Sequence, residues 1–262
     1  MATETVTKLS TISVKLHETG IAWLVFERPE KRNALNLDMV EDIRRGLDII
    51  SKAQYPKVVI FFGAGGKAFI SGADIAELRD RTRMDALKRI NNSLLREVET
   101  YSLPTIAAIR GFALGGGCEF AMACDLRVAG ASARFGQPEV GLGILPGAGA
   151  NYRLPRLVGF GKAKELILTG RIIGAQEAMR IGLVNHVVDD DAVEATASAL
   201  ADEIGRQSPL AVRFAKMVIN ASTEASTDVA MLLESTAQAV LFEDPEKHRR
   251  MTEFLERKLP KS

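Results

Sequence analysis

The chain of 262 residues is 47% hydrophobic and 26% charged, enough apolar material for a full core in one large domain, or one domain with an appendage. A net charge of +1 and a pI near 7.8 exclude the long-range field that captures a polyanion, so a phosphorylated ligand must be held by a few placed groups. With aromatics at 6%, the core must be built mainly from Ala, Val, Ile and Leu.

Residues 1–18 carry Glu4 and many Thr and Ser but no apolar stretch and no run of arginines, so neither a secretory signal nor a transit peptide is expected. Ile12, Val14 and Leu16 alternate with polar residues, and Ile21–Phe26 is a second apolar run; with Gly20 between them they predict a hairpin. Leu37, Val40, Ile43, Leu47 and Ile50 fall at helical spacing behind Asn36, a capping residue. Lys57–Phe62 reads as a short buried strand, Asp85–Tyr101 as a helix, Pro104–Ile109 as another buried strand and Arg127–Ala129 as a third. Glycines cluster between these elements, at 63–66, 115–117 and 141–149, where positive φ and close backbone approach to a ligand are available. After about residue 190 glycine becomes rare, and helices are predicted over 192–206, 209–221, 225–242 and 245–257, with Ser208-Pro209 and Asp244-Pro245 as starts. The organisation is a βα-rich body, residues 1–190, followed by a helical tail, 191–262, too thin for its own core and expected to pack on the body or on another subunit.

Several motifs are set aside. No run of about 18 apolar residues exists, so no membrane span is expected. Cys118 and Cys124 match no disulfide framework or zinc spacing and read as small buried hydrophobes of a reducing, cytoplasmic setting. His17, His186 and His248 lack neighbours at ligand spacing, so no metal is expected. Gly63-Ala64-Gly65-Gly66-Lys67-Ala68 lacks the Ser/Thr of a phosphate loop, and Gly141-Leu142-Gly143 runs into Pro146 where a dinucleotide fingerprint opens its helix. The basic run Arg79–Arg83 with Lys88 and Arg89 is interleaved with Glu77, Asp80 and Asp85 and reads as a solvated helix face, not a nucleic-acid patch.

Three segments carry chemistry. In Ala113–Asp125, three glycines follow a predicted strand and an apolar helix begins within them, placing free N–H groups and a positive dipole end at the strand terminus, with Glu119 in the first turn. In Phe135–Gly149, Glu139 is the only acid between Asp125 and Glu165, in a stretch otherwise rich in apolar residues and glycine; burying it costs free energy unless it has partners or a task. Ala68–Ile75 again reads as strand, small-residue turn and helix start, offering another free N–H.

Together these segments resemble the active-site motifs of the crotonase superfamily, the enoyl-CoA hydratase/isomerase family, in the same order and with similar spacing. Arg28–Asn36, Leu154–Gly159 and Ala175–Val184 are similar to the family too, so the likeness covers essentially the whole chain. It implies an α/β (α+β) fold, a spiral of repeated ββα units with a C-terminal helical oligomerisation region, and a homotrimer or homohexamer. It implies an acyl-coenzyme A thioester as substrate, with coenzyme A entering as part of that substrate and no separate cofactor. By motif match Ala73 and Gly116 supply the two N–H groups that stabilise an enolate-like thioester oxygen, a kind of donor whose loss costs roughly 3–4 kcal/mol. Glu139 matches the proton donor to the α-carbon and Glu119 the water-orienting base; like charges close together are expected to hold one of the pair protonated. Lys31 and Ala34 match positions near the phosphate and pantetheine arm, Asp74, Ile75 and Ala76 the adenine and acyl entrance, and Gly147, expected at the next helix start, a further donor to the water.

Two departures stand out: Ala150-Asn151-Tyr152 replaces a common Gly-Thr-Gln, and Ile70-Ser71 replaces a pair of small residues, both expected to reshape the acyl pocket. The resemblance implies hydration of an enoyl-CoA first. A Δ3,Δ2-isomerase, or a hydrolase or lyase on another acyl-CoA, is the alternative within the fold, and a non-catalytic RNA or protein partner is the alternative outside enzymology.

Overall fold

The computed structural model describes residues 4–258, with side chains to residue 256. Its strands are β1 (Glu4–Lys8), β2 (Ile12–His17), β3 (Ile21–Phe26), β4 (Val58–Gly63), β5 (Ala68–Ile70), β6 (Thr105–Ile109), β7 (Phe112–Leu114), β8 (Leu126–Gly130), β9 (Arg134–Gly136), β10 (Ile173–Gly174) and β11 (His186–Val188). Among the described residues they form a seven-stranded sheet in the order β1-β2-β3-β4-β6-β8-β11 and a four-stranded sheet in the order β10-β9-β7-β5.

The expected hairpin is present: β2 and β3 pair antiparallel, and Gly20 adopts φ +98° at the turn. From β3 onward the larger sheet is parallel, and its central strands β4 and β6 are continuously apolar because both faces are covered. Strand β1 went unforeseen: it pairs with β2 at the sheet edge and four of its five residues are exposed, so burial imposes no apolar alternation on it.

The helices of the body are α1 (Leu37–Lys52), α2 (Ile75–Asp80), α3 (Arg83–Leu87), α4 (Ile90–Glu99), α5 (Gly116–Ala123), α6 (Ala150–Val158), α7 (Phe160–Thr169) and α8 (Ala175–Arg180), and α9 (Val193–Gly205) follows them. Asn36 caps α1 by accepting from the Met39 N–H at 3.1 Å, as its position predicts. The single helix expected over 85–101 is instead two, broken at Arg89 with φ +54°. The thermodynamic anchors differ: α3 is fixed by a capping box between Thr82 and Asp85 and buries nothing, whereas α4 is fixed by burial of Leu94, Leu95 and Val98.

The succession strand, strand, helix recurs: β2-β3-α1, β4-β5-α2, β6-β7-α5, β8-β9-α6. In the last three rounds the first strand joins the larger sheet and the second joins the smaller one, which is the α/β spiral anticipated. A consequence for function follows from topology alone. Strands β5, β7 and β9 are parallel neighbours, so the segments leaving their C-terminal ends come together. Beneath them Phe26, Phe61, Phe69 and Phe120 meet in edge-on contacts with ring centroids 5.0–6.0 Å apart, giving α5 a rigid seat.

By internal contacts the chain divides into two compact units, one ending at Asp202 and the other beginning at Glu203. The second contains α10 (Pro209–Ser222), α11 (Thr227–Phe242) and α12 (Pro245–Lys258), each close to its predicted span. Ser208 caps α10 through the Ala211 N–H, and Asp244 accepts from the Glu246 N–H at 3.0 Å.

Candidate active site

Ala73, Gly116 and Glu139 lie three, two and three residues beyond the ends of β5, β7 and β9, the three neighbouring strands. Ala73 is held from both sides, because Leu35 N–H donates to Gly72 O at 2.8 Å and Asp74 N–H to Leu35 O at 2.9 Å. Its own N–H and that of Gly116 have no acceptor among the described residues. A Cβ built on Gly116 would sit 3.5 Å from the Ala73 nitrogen, so the two donors belong to neighbouring backbone segments on one cavity wall. Two neighbouring glycines are required by contact. A Cβ on Gly117 would collide with Ile70 O, and Gly115, at φ +50°, leaves room for Glu139 Oε1, which a Cβ there would meet at 2.8 Å.

Glu119 is 2% exposed, and its Oε1 accepts from the N–H groups of Ala148 at 2.8 Å and Ala150 at 2.9 Å. Burial pushes its pKa up; those donors and the Arg153 charge pull the other way but do not cancel it. Glu139 is partly buried, and burial pushes its pKa up to about 7, with the Glu119 charge adding less. The repulsion expected between the pair is thus real but secondary to desolvation. The amide of Gln137, 1% exposed, faces Glu139 and, with its nitrogen turned toward the carboxyl, donates to Oε1 and Oε2 at 3.1 and 3.2 Å. The adjacent thiol of Cys118 is pushed up to about 12 by burial and stays protonated.

A cavity of about 820 Å³ opens on this centre, within the size range of small-molecule sites. Its wall contains Lys31, Ala34, Ala73, Asp74, Ile75 and Ala76 on one segment pair, and Gly116, Glu119, Glu139 and Gly147 on the other, so every residue the sequence nominates is brought to one space. An ion pair of Arg28 with Asp74 at 3.5 Å, and a bond from Arg28 to Ala34 O, tie the two walls of the first group together. Gly147 precedes α6 by three residues instead of starting it, and the N–H groups of Ala148 and Ala150 that follow it are engaged by Glu119.

Other lining residues were missed. Arg81, Thr82, Asp85 and Arg89 line the cavity, whereas Arg79, Arg83 and Lys88 are exposed and do not, so the run is a solvated face as expected and only part of it borders the site. Asn91, Asn92, Leu142, Ile144 and Leu145 also line it. Of the two departures, Ser71 reaches the cavity while Ile70 is buried in the core. Asn151 and Tyr152 do not line it: the Asn151 amide donates to Pro146 O at 2.6 Å and the Tyr152 ring packs against Arg153, so they brace the loop and do not shape the acyl pocket.

Among the described residues no three His, Cys, Asp or Glu side chains assemble as metal ligands, and no helix is long and apolar enough to cross a membrane. Cys118 and Cys124 are buried, with the Cys124 thiol donating to Phe120 O at 3.5 Å, and His186 and His248 are exposed.

The profile of the family described as enoyl-CoA hydratase/isomerase matches residues 17–261. The chain is 43% identical to a short-chain-enoyl-CoA hydratase of Clostridium acetobutylicum, over 92% of this chain and 93% of that one. It is 42% identical to a crotonyl-CoA hydratase of Syntrophomonas wolfei, over 92% and 94%. The crystal structure of an enoyl-CoA hydratase from Bacillus anthracis superposes with a TM-score of 0.87 at 36% identity, covering 98% of this chain and 97% of that one. A profile match over nearly the whole chain, with relatives sharing two residues in five, places this chain in the enoyl-CoA hydratase/isomerase family of the crotonase superfamily.

Proposed function

We propose that the protein is an enoyl-CoA hydratase, adding water across the α,β double bond of a 2-enoyl-CoA thioester to give the 3-hydroxyacyl-CoA. The observation that carries this is the presence of two carboxyls, Glu119 and Glu139, in one cavity with the neighbouring backbone of Ala73 and Gly116. The hydratase names of relatives above 40% identity point the same way. An isomerase needs one carboxyl to move a proton; a second, kept at the cost of burial, suits a reaction that must also activate water.

In this reading Glu119 takes a proton from water as its oxygen attacks the β-carbon. The electron pair of the double bond moves to the thioester oxygen, where the N–H groups of Ala73 and Gly116 receive the developing charge. The enolate collapses as its α-carbon takes a proton from Glu139, which at about pH 7 still holds one. The hydroxyl of water is then on the β-carbon and the proton of Glu139 on the α-carbon; Glu119 gives up the proton it took and Glu139 regains one, through solvent, which restores the pair. Gly147, on the cavity wall, is assigned the further backbone donor to the water. Lys31 and Ala34 take the phosphate and pantetheine arm, and Asp74, Ile75 and Ala76 the entrance; coenzyme A is part of the substrate. A homotrimer or homohexamer fits the apolar residues exposed on α11 and α12, and a reducing cytoplasmic setting fits the two buried cysteines.

Decay of the enoyl-thioester ultraviolet absorbance of crotonyl-CoA tests the reading. Wild type is expected to consume it, with Glu119→Gln and Glu139→Gln each slower by about 10²-fold or more. Inertness of wild type on short, long and branched 2-enoyl-CoAs overturns it, and conversion of a 3-enoyl-CoA alone would make the protein an isomerase.

A further inference from the structure

A carboxyl as deeply buried as Glu119 keeps a charge only where neighbours compensate for the lost water. Its two donors, the Ala148 and Ala150 N–H groups, belong to a loop and a helix start, so what braces that stretch sets where they sit. That stretch is gripped from behind by Arg153, a residue 3% exposed. Arg153 Nη1 donates to Ala148 O at 2.9 Å, on the far side of the peptide unit that follows the Ala148 N–H bound to Glu119. Its other nitrogens fork onto Glu99 of α4, Nε at 3.2 Å and Nη2 at 2.9 Å, and the Tyr152 ring lies 4.8 Å from the guanidinium carbon. The backbone between the two donors lies against this group: a Cβ at Gly149 would collide with Arg153 Nη1.

We infer that Arg153, anchored by Glu99, is a positioning residue for hydration: it fixes the Ala148–Ala150 donor pair and supplies the positive charge that Glu119 faces when it acts as base. This rests on the role given above to Glu119. A purely structural role explains less. A buried ion pair is seldom better for stability than a well-packed apolar pair, and an apolar pair could tie α4 to α6 equally well. It could not donate to Ala148 O or place a cation near Glu119. The charged neighbours oppose one another in a definite way. Glu139 raises the cost of a Glu119 carboxylate, Arg153 lowers it, Glu99 weakens Arg153 and is itself shared with Arg96 at 2.9 Å, and the Cys118 thiol is neutral.

The test is an infrared pH titration of the Glu119 carboxyl stretch, identified by its disappearance in Glu119→Gln, together with the pH profile of kcat/KM on crotonyl-CoA. In Arg153→Met the midpoint is expected to rise by about one pH unit, and the acid limb of kcat/KM to rise with it. Glu99→Gln, which removes a negative charge from behind Arg153, is expected to move the midpoint down. Arg153→Lys keeps the charge and loses the fork, so its midpoint stays while kcat falls about tenfold or more from lost positioning. An unmoved midpoint in a folded Arg153→Met protein overturns the inference; should that variant not fold, an unmoved midpoint in Glu99→Gln does the same. The infrared midpoints are read without turnover, so they decide this point even if wild type hydrates no enoyl-CoA and the hydratase reading falls.

Discussion

At Glu139 the carboxyl pKa is pushed up to about 7 from an ordinary value of 4.5, chiefly by burial. The folded state therefore favours the protonated form. Its contribution to stability is complete below about pH 4.5 and is lost as pH rises through about 7. Glutamine at this position mimics the protonated carboxyl at every pH. Glu139→Gln is expected to melt at a higher temperature than wild type at pH 8 and at the same temperature near pH 4.5, even as it loses about 10²-fold or more in hydration. Scanning fluorimetry at the two pH values checks this; equal melting at pH 8 would mean that burial costs the carboxylate nothing. The same proton governs turnover: if Glu139 donates it, kcat/KM falls as pH rises through about 7, and a profile flat across that range removes Glu139 as the acid.

Among the elements, the start of α5 ties fold to chemistry most tightly. Its first turn supplies the Gly116 N–H and carries Glu119, and its Gly117 lies so close to Ile70 O of β5 that no Cβ fits between them. Gly117→Ala must push β5 and α5 apart, moving Ala73 and Gly116 relative to one another. The expected outcome is a loss of about 1–3 kcal/mol in urea denaturation and a fall in kcat of about tenfold or more. Ser208→Ala, which removes a cap far along the chain from these elements, is expected to cost about 1 kcal/mol and leave kcat unchanged. Equal effects of the two on kcat would contradict the close-approach reading of Gly117. The α3–α4 break shows the limit of reading elements from periodicity. Residues 83–99 are helical almost throughout, and only the burial of Leu94, Leu95 and Val98 against the core sets where the chain must turn.

For the whole molecule, α11 and α12 expose Leu232 and Leu255 at 66% and 64%, with Met231, Phe242 and Phe254 also exposed, more apolar surface than a solvated helix face carries. Light scattering is expected to give three or six times the chain mass of 28.4 kDa, and Leu232→Asp with Leu255→Asp to lower it; a wild-type monomer would exclude the trimer or hexamer. The sequence by itself determined the type of the longer elements, such as β2, β3, β4, β6 and α1, because apolar periods of two and of 3.6 are readable there; the three-residue strands β7, β9 and β11 are too short to show a period and went unpredicted. It also nominated the acids and glycines, since Glu139 stands alone in an apolar stretch and the glycines mark strand ends. It was silent on the exposed strand β1, on Arg81 and Arg89 as cavity residues, and on Arg153 behind Glu119. Those depend on contacts between residues far apart in the chain, such as Arg153 with Glu99 and Leu35 with Gly72. Only the tertiary structure decided them, because the parallel order β5-β7-β9 sets which strand ends meet, and burial at that meeting point raises the pKa of both carboxyls.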